Sequence, residues 1–176
     1  MPETSIIATT QNWLNQFIIR YQICPFAKPA YEQQRIRYQV MTEQNVENLL
    51  MAVIDECHYL DQHADTETTL LIFANACADF NDYLDVVAIA EQLLIEQGYE
   101  GVYQLASFHP DYCFSDSDPD DDANYTNRSP YPMLHIIREA SIESALKHYP
   151  DPENIPVRNM QRCRQLGAAH ILGLIK

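Results

Sequence analysis

The segment from Thr69 to Ala74 constrains this chain more than any other. It reads Thr-Leu-Leu-Ile-Phe-Ala, a short continuous apolar run between two stretches of helical periodicity. Such a run is consistent with a strand covered on both faces. Before it, Val46, Leu49, Leu50, Val53, Ile54, Cys57 and Leu60 form one helical face, with Thr42 as a plausible N-cap. After it, Asn81 or Asp82 opens a helix carrying Leu84, Val87, Ala90, Leu93 and Leu94, and Gly98 stands where a C′ glycine belongs.

Three more strands follow from the same reading. Ile36, Tyr38 and Val40 alternate with polar residues between Arg35 and Met41, Gly101 to Phe108 forms a third strand, and Met133 to Arg138 a fourth. A first helix, capped by Thr4 or Ser5, carries Ile6, Ile7, Trp13, Leu14, Phe17, Ile18 and Tyr21 and meets Pro25. Ser141 caps a short helix to His148, and Pro152 and Pro156 precede a last helix with Met160, Cys163, Leu166 and Ile171.

The expected class is α/β, a small mixed sheet of about four strands layered by helices. Two right-handed crossovers predict that the first three strands are parallel. The fourth is expected to be antiparallel, because a long loop without a helix leads to it. At 176 residues the chain is expected to form one domain over 1–176.

Charge is distributed unevenly. No Lys or Arg occurs between Arg37 and Arg128, yet most of the 25 acidic residues fall there, and the formal net charge is −14. That opposes binding to a phosphate backbone, so no nucleic-acid partner is expected. No apolar run approaches a membrane span and Met1 to Ile7 lacks the basic and apolar regions of a secretory signal, so a cytoplasmic, membrane-free location is expected. Five cysteines without a Cys-x-x-Cys pair fit a reducing compartment. Cys57 and Cys163 read as small core residues. Four glycines make a phosphate-cradling loop improbable, and neither Gly-x-Ser-x-Gly nor His-Glu-x-x-His occurs.

The segment 109–132 stands out. It is too long for an ordinary connection in a compact fold, and loops of that length are usually functional or disordered. It begins and ends at strand ends, where α/β sheets place ligands. It carries His109, Asp111, Tyr112, an aspartate run, Asn124, Tyr125, Asn127, Arg128 and Tyr131, with His135 just beyond. In the functional reading His109 is a general acid or base, and His135 is a second candidate. Arg128 and Arg138 hold a polar or anionic small substrate, and Asn127 and Tyr125 position it. In the competing reading His109 and His135 bond to neighbouring groups within the fold, and Arg128 neutralises the acidic loop. Asp116, Asp118 and Asp120 have the one-three-five spacing of a calcium loop, with Asp111 as a further oxygen donor. However, Asp121 replaces the turn glycine and Asn127 the bidentate glutamate.

Cys24-Pro25-Phe26-Ala27 is like the cysteine corner of thioredoxin-type folds, where helix N–H groups favour the thiolate. The second cysteine is missing, and the preceding segment reads as helix. Cys24 is therefore either an optional nucleophile, with His109 as a possible base, or a buried thiol.

Three segments together resemble the bacterial family known as domain of unknown function 1415. They are Cys24-Pro25-Phe26-Ala27, the run from Ala106 to Tyr112, and the run from Asn124 to His135. The likeness extends from Trp13 to the last helix. It implies a bacterial, cytoplasmic, single-domain protein, and it brings no established activity, cofactor or catalytic residue. Three functions remain: an enzyme for a small polar or anionic substrate, a metal-binding or redox-responsive protein, and a non-catalytic protein whose acidic face meets a partner.

Overall fold

A computed structural model of the chain describes residues 1–147 and 149–175. Among them are seven α-helices and a four-stranded sheet. The helices are α1 (Glu3–Trp13), α2 (Ala27–Glu32), α3 (Val46–Gln62), α4 (Phe80–Glu96), α5 (Glu139–Leu146), α6 (Ile155–Leu166) and α7 (Ala168–Leu174). The strands are β1 (Ile36–Met41), β2 (Thr68–Phe73), β3 (Tyr103–Phe108) and β4 (Met133–Arg138).

The α/β class holds and β4 runs antiparallel as expected, but β1, β2 and β3, although they share a direction, do not pair as one parallel set. The sheet order is β1-β2-β4-β3. Only β1 and β2 pair in parallel, and β4 pairs antiparallel with both β2 and β3. The connection through α4 skips one position, and the long β3–β4 segment returns the chain into that gap as a split βαβ arrangement. Composition explains the choice. Met133, Leu134 and Ile136 of β4 are fully buried, whereas β3 carries Gln104 and Ser107. The more apolar strand takes the interior and the more polar one an edge.

All six residues of β2 are buried, as its continuous apolar run requires. On one face of the sheet Leu71, Phe73, Leu134 and Ile136 pack on Leu49, Val53, Cys57 and Leu60 of α3 and on Tyr83, Ala90 and Leu94 of α4. On the other face Val40, Leu70, Ile72 and Met133 pack on Ile6 and Trp13 of α1, on Leu14, Phe17 and Ile18, and on Cys163 of α6 and Ile171 of α7. Cys57 and Cys163 are core residues as expected.

Several boundaries differ from the sequence reading. Asn45 rather than Thr42 caps α3, its side chain accepting from the Asn48 N–H. Asp79 caps α4 through the Asn81 and Asp82 N–H groups. Gly98 has φ +80°, one residue past the Gln97 C-cap, as the C′ reading requires. The first helix starts at Glu3 behind Pro2 and widens to a π-helix over Leu14–Ile19. There Arg20 and Ile23 donate to the carbonyls five residues back. The helix expected from Ser141 starts instead at Glu139, and the His148 end of that expectation lies outside the described residues. The last helix is two helices, because Gly167 turns the chain at φ +75°. No helix among the described residues is long and apolar enough to cross a membrane.

Candidate functional site

The β3–β4 segment is ordered by its own polar side chains. His109 leaves β3 on the α4 side, fully buried, with its ring 5.1 Å from those of Phe80 and Tyr83. The Asp111 N–H donates to His109 Nδ1 at 3.0 Å, so Nδ1 carries no proton. Nε2–H then donates to the Cys77 carbonyl at 2.9 Å. Cys77 itself holds a left-handed backbone, φ +57°, so this bond pins a strained turn. Both ring nitrogens are occupied by backbone groups, which fixes the donor at Nε2 and the acceptor at Nδ1.

The other candidates of this segment are engaged in the same way. Arg128 Nε donates to the Tyr112 carbonyl at 3.0 Å, and Arg128 Nη2 donates to the Pro119 carbonyl at 2.8 Å. Its guanidinium lies 4.8 Å from the centre of the buried Tyr125 ring. Asn127 donates to the Ser107 carbonyl at 3.1 Å. Fully buried Asn124 accepts from the Phe114 N–H at 3.0 Å and donates to the Asp118 carbonyl at 2.9 Å. Trp13 of α1 donates its indole N–H to the Arg128 carbonyl at 3.1 Å. The chain forms a 3₁₀ turn over Asp122–Thr126 where the sequence suggested no regular structure.

The aspartate run follows turn logic. Asp118 Oδ1 accepts from the Asp120 N–H, and Asp121 accepts from the Ala123 N–H and from Arg164 at 2.7 and 2.9 Å. That arginine and those amides hold the Asp121 carboxyl well below the usual carboxylate range. Asp111, Asp116, Asp118 and Asp120 are exposed. Among the described residues no group of three or more His, Cys, Asp or Glu side chains is placed to hold a metal ion.

The remaining candidates lie apart from one another. Cys24 is half-buried and packs with the α1 side of the sheet, opposite the α4 side where His109 sits, so the two do not form a pair. Burial pushes the Cys24 thiol up, against the opposing pull of the Phe26 and Ala27 amides. His135 shares its face of β4 with Met133 and Ile137, as alternation predicts. The Thr68 hydroxyl donates to the Ile136 carbonyl, so it accepts from His135 Nε2–H at 2.7 Å. Burial pushes His135 down to about 4, leaving a neutral imidazole. Arg138 joins β4 to the end of α3, donating to the Leu60 and Thr66 carbonyls and to the Tyr103 hydroxyl. All five cysteines are free.

A different place carries an unmet bond. The Tyr38 hydroxyl is buried and has no hydrogen-bond partner among the described residues. Tyr38, on the edge strand β1, is among the residues lining a 460 Å³ cleft, with Gln11 of α1, Tyr31 and Glu32 of α2, Gln34 and Ile36. Burial, with Tyr31 nearby, pushes the Tyr38 phenol above its ordinary value, so it is a neutral hydroxyl. Gln34 turns the chain from α2 into β1 with φ +56°. Gln11 sits at the end of α1, just ahead of the π-helix that redirects the chain.

A second cleft of 310 Å³ lies on the opposite face of β1, lined by Arg37, Gln39, Met41 and residues of α3. Its arginine and its buried carboxylate are paired with each other. Glu56, almost fully buried, accepts from Arg37 at 2.7 and 3.0 Å and from the Thr69 hydroxyl at 3.0 Å. Arg37 also lies 4.0 Å from the centre of the Tyr59 ring.

The residues of the first cleft were not singled out from sequence. One signal was available. Tyr38 alternates with Ile36 and Val40 on the inward face of a strand, and a tyrosine there must find a partner for its hydroxyl. The family model that matches this chain is described as "Protein of unknown function (DUF1415)", over residues 5–172. No curated protein and no solved structure matches it.

Proposed function

The chain belongs to that family, and from its geometry we propose that it binds a polar small molecule in the cleft between α1, α2 and β1. One observation carries this reading: a buried hydroxyl, that of Tyr38, lacks a partner among the described residues, beside a 460 Å³ cleft. Leaving such a group unpaired costs about 1–3 kcal/mol, which a ligand recovers once a small shift of the lining opens the hydroxyl to it. The volume falls in the range of small-molecule sites. The amides of Gln11 and Gln34 and the Tyr31 phenol offer further donors and acceptors.

This reading moves the site from the β3–β4 segment to β1, and it makes the protein a binder rather than an acid–base catalyst. For His109 to take a substrate proton at Nδ1 it would have to release the Asp111 N–H. Arg128 and Arg138 already hold backbone carbonyls, and they act here as braces. The expected anionic substrate also gives way, because Glu32 is the charged residue lining the cleft.

Thermal-shift measurements on wild type and Tyr38→Phe, against a panel of neutral and charged polar compounds, test this. At least one compound is expected to raise the wild-type midpoint and leave the variant's unchanged. A panel that shifts neither protein, or shifts both equally, sinks the reading.

A further inference from the structure

We infer that the cleft takes an alkylammonium group, carried on a small free amine or on a lysine side chain. This rests on the cleft reading above and adds the ligand's charge. An ammonium has three donors and no acceptor, so its site must be rich in acceptors. The lining residues carry the Glu32 carboxylate, the side-chain carbonyls of Gln11 and Gln34 and the phenol oxygens of Tyr31 and Tyr38, the last of them buried. They also supply two phenol rings, Tyr31 and Tyr38, whose faces attract a cation. Among the described residues no Lys, Arg or His lines the cleft. An anion would therefore meet the Glu32 carboxylate, which Lys28 neutralises only from outside the lining, and a neutral ligand would leave that carboxylate unused. The formal charge of −14 concentrates cations at the surface and favours their approach.

Lys28 explains how the empty cleft tolerates Glu32. Its ammonium lies 3.7 Å from the Glu32 carboxylate, and both side chains are mostly exposed. Such a surface pair contributes little to stability, so an incoming ammonium can replace it. Lys28 thus competes with the ligand for the same carboxylate, and its removal must strengthen cation binding. For an anionic ligand the same removal would weaken binding.

Isothermal titration with butylammonium, Nα-acetyl-lysinamide, n-butanol and butyrate tests the inference on the intact chain. Butylammonium, Nα-acetyl-lysinamide or both are expected to bind, and butanol and butyrate are not. Glu32→Gln is expected to weaken ammonium binding about tenfold and Lys28→Ala to tighten it about twofold to threefold, with folding checked by circular dichroism. The stronger of the two ammonium probes identifies the carrier. Equal binding of butanol overturns the charge assignment and leaves the cleft reading standing. Ammonium binding unchanged in both Glu32→Gln and Tyr38→Phe places the cation elsewhere on the acidic surface and overturns the inference. No binding by any of the four probes overturns it as well, and the wider thermal-shift panel then decides the cleft reading separately.

Discussion

In the β3–β4 segment His109 gives both ring nitrogens to backbone groups, whereas beside β1 the Tyr38 hydroxyl meets no partner among the described residues. The first region holds nearly every residue type that chemistry favours, among them histidine, arginine, asparagine and aspartate. The second holds two tyrosines, two glutamines, a glutamate and an isoleucine. Residue type marks the first region and unmet bonding marks the second. A polar side chain whose bonds are all made within the fold serves stability. One left unpaired in a buried place is a cost that folding alone does not explain.

The largest effect should come from breaking the brace at its centre. His109→Ala removes a fully buried ring and leaves the Cys77 carbonyl and the Asp111 N–H unpaired. A loss of about 4 kcal/mol is expected in urea unfolding, from cavity and lost bonds together. If the variant keeps wild-type stability, His109 is not the brace described here.

Next comes acid sensitivity through His135. The folded chain binds a proton there only near pH 4, while the unfolded chain does so near the ordinary 6.5. Between those values the unfolded state holds more protons, so acid favours it. Stability is intact above 6.5 and falls toward 4 by at most about 1.4 kcal/mol per pH unit, or about 3 kcal/mol in all. Unfolding midpoints of wild type and His135→Gln across that window should diverge, with the variant's slope the shallower. Parallel slopes would mean that His135 is not held neutral.

Asn124→Ala follows, with an expected loss of about 2 kcal/mol, because the Phe114 N–H and the Asp118 carbonyl lose their buried partner. A loss confined to a few tenths would show that the segment does not depend on its polar ties. The smallest effect has the opposite sign. Tyr38→Phe, without ligand, is expected to stabilise the chain by about 1 kcal/mol, since it removes an unpaired buried hydroxyl. Destabilisation would mean that the hydroxyl has a partner after all, and the contrast between the two regions would collapse.

Much of the fold was legible in the sequence, because strands and helices follow local periodicity. The apolar run became the fully buried β2, and Leu49, Val53, Cys57 and Leu60 became the face of α3 that it meets. The strand order was not legible. Whether β3 sits beside β2 or leaves a gap for β4 depends on the relative burial of two strands separated by a long connection, and no local pattern records that. The π-helix over Leu14–Ile19 was equally hidden, since its apolar residues fit an ordinary helix.

Of the sites, the sequence located the β3–β4 segment as unusual, and the structure gives a physical content to that: a connection tied down by its own side chains. What the sequence determined by itself is which residues can form strands and helices, where the charge lies and which side chains carry chemistry. Only the tertiary structure decided which polar groups are spent. Asn124 and Tyr38 both place polar groups in buried positions, but one meets partners ten and six residues away and the other meets none among the described residues. Hydrogen bonding is short-ranged and directional, so a few ångströms of packing decide the outcome, and composition does not record them.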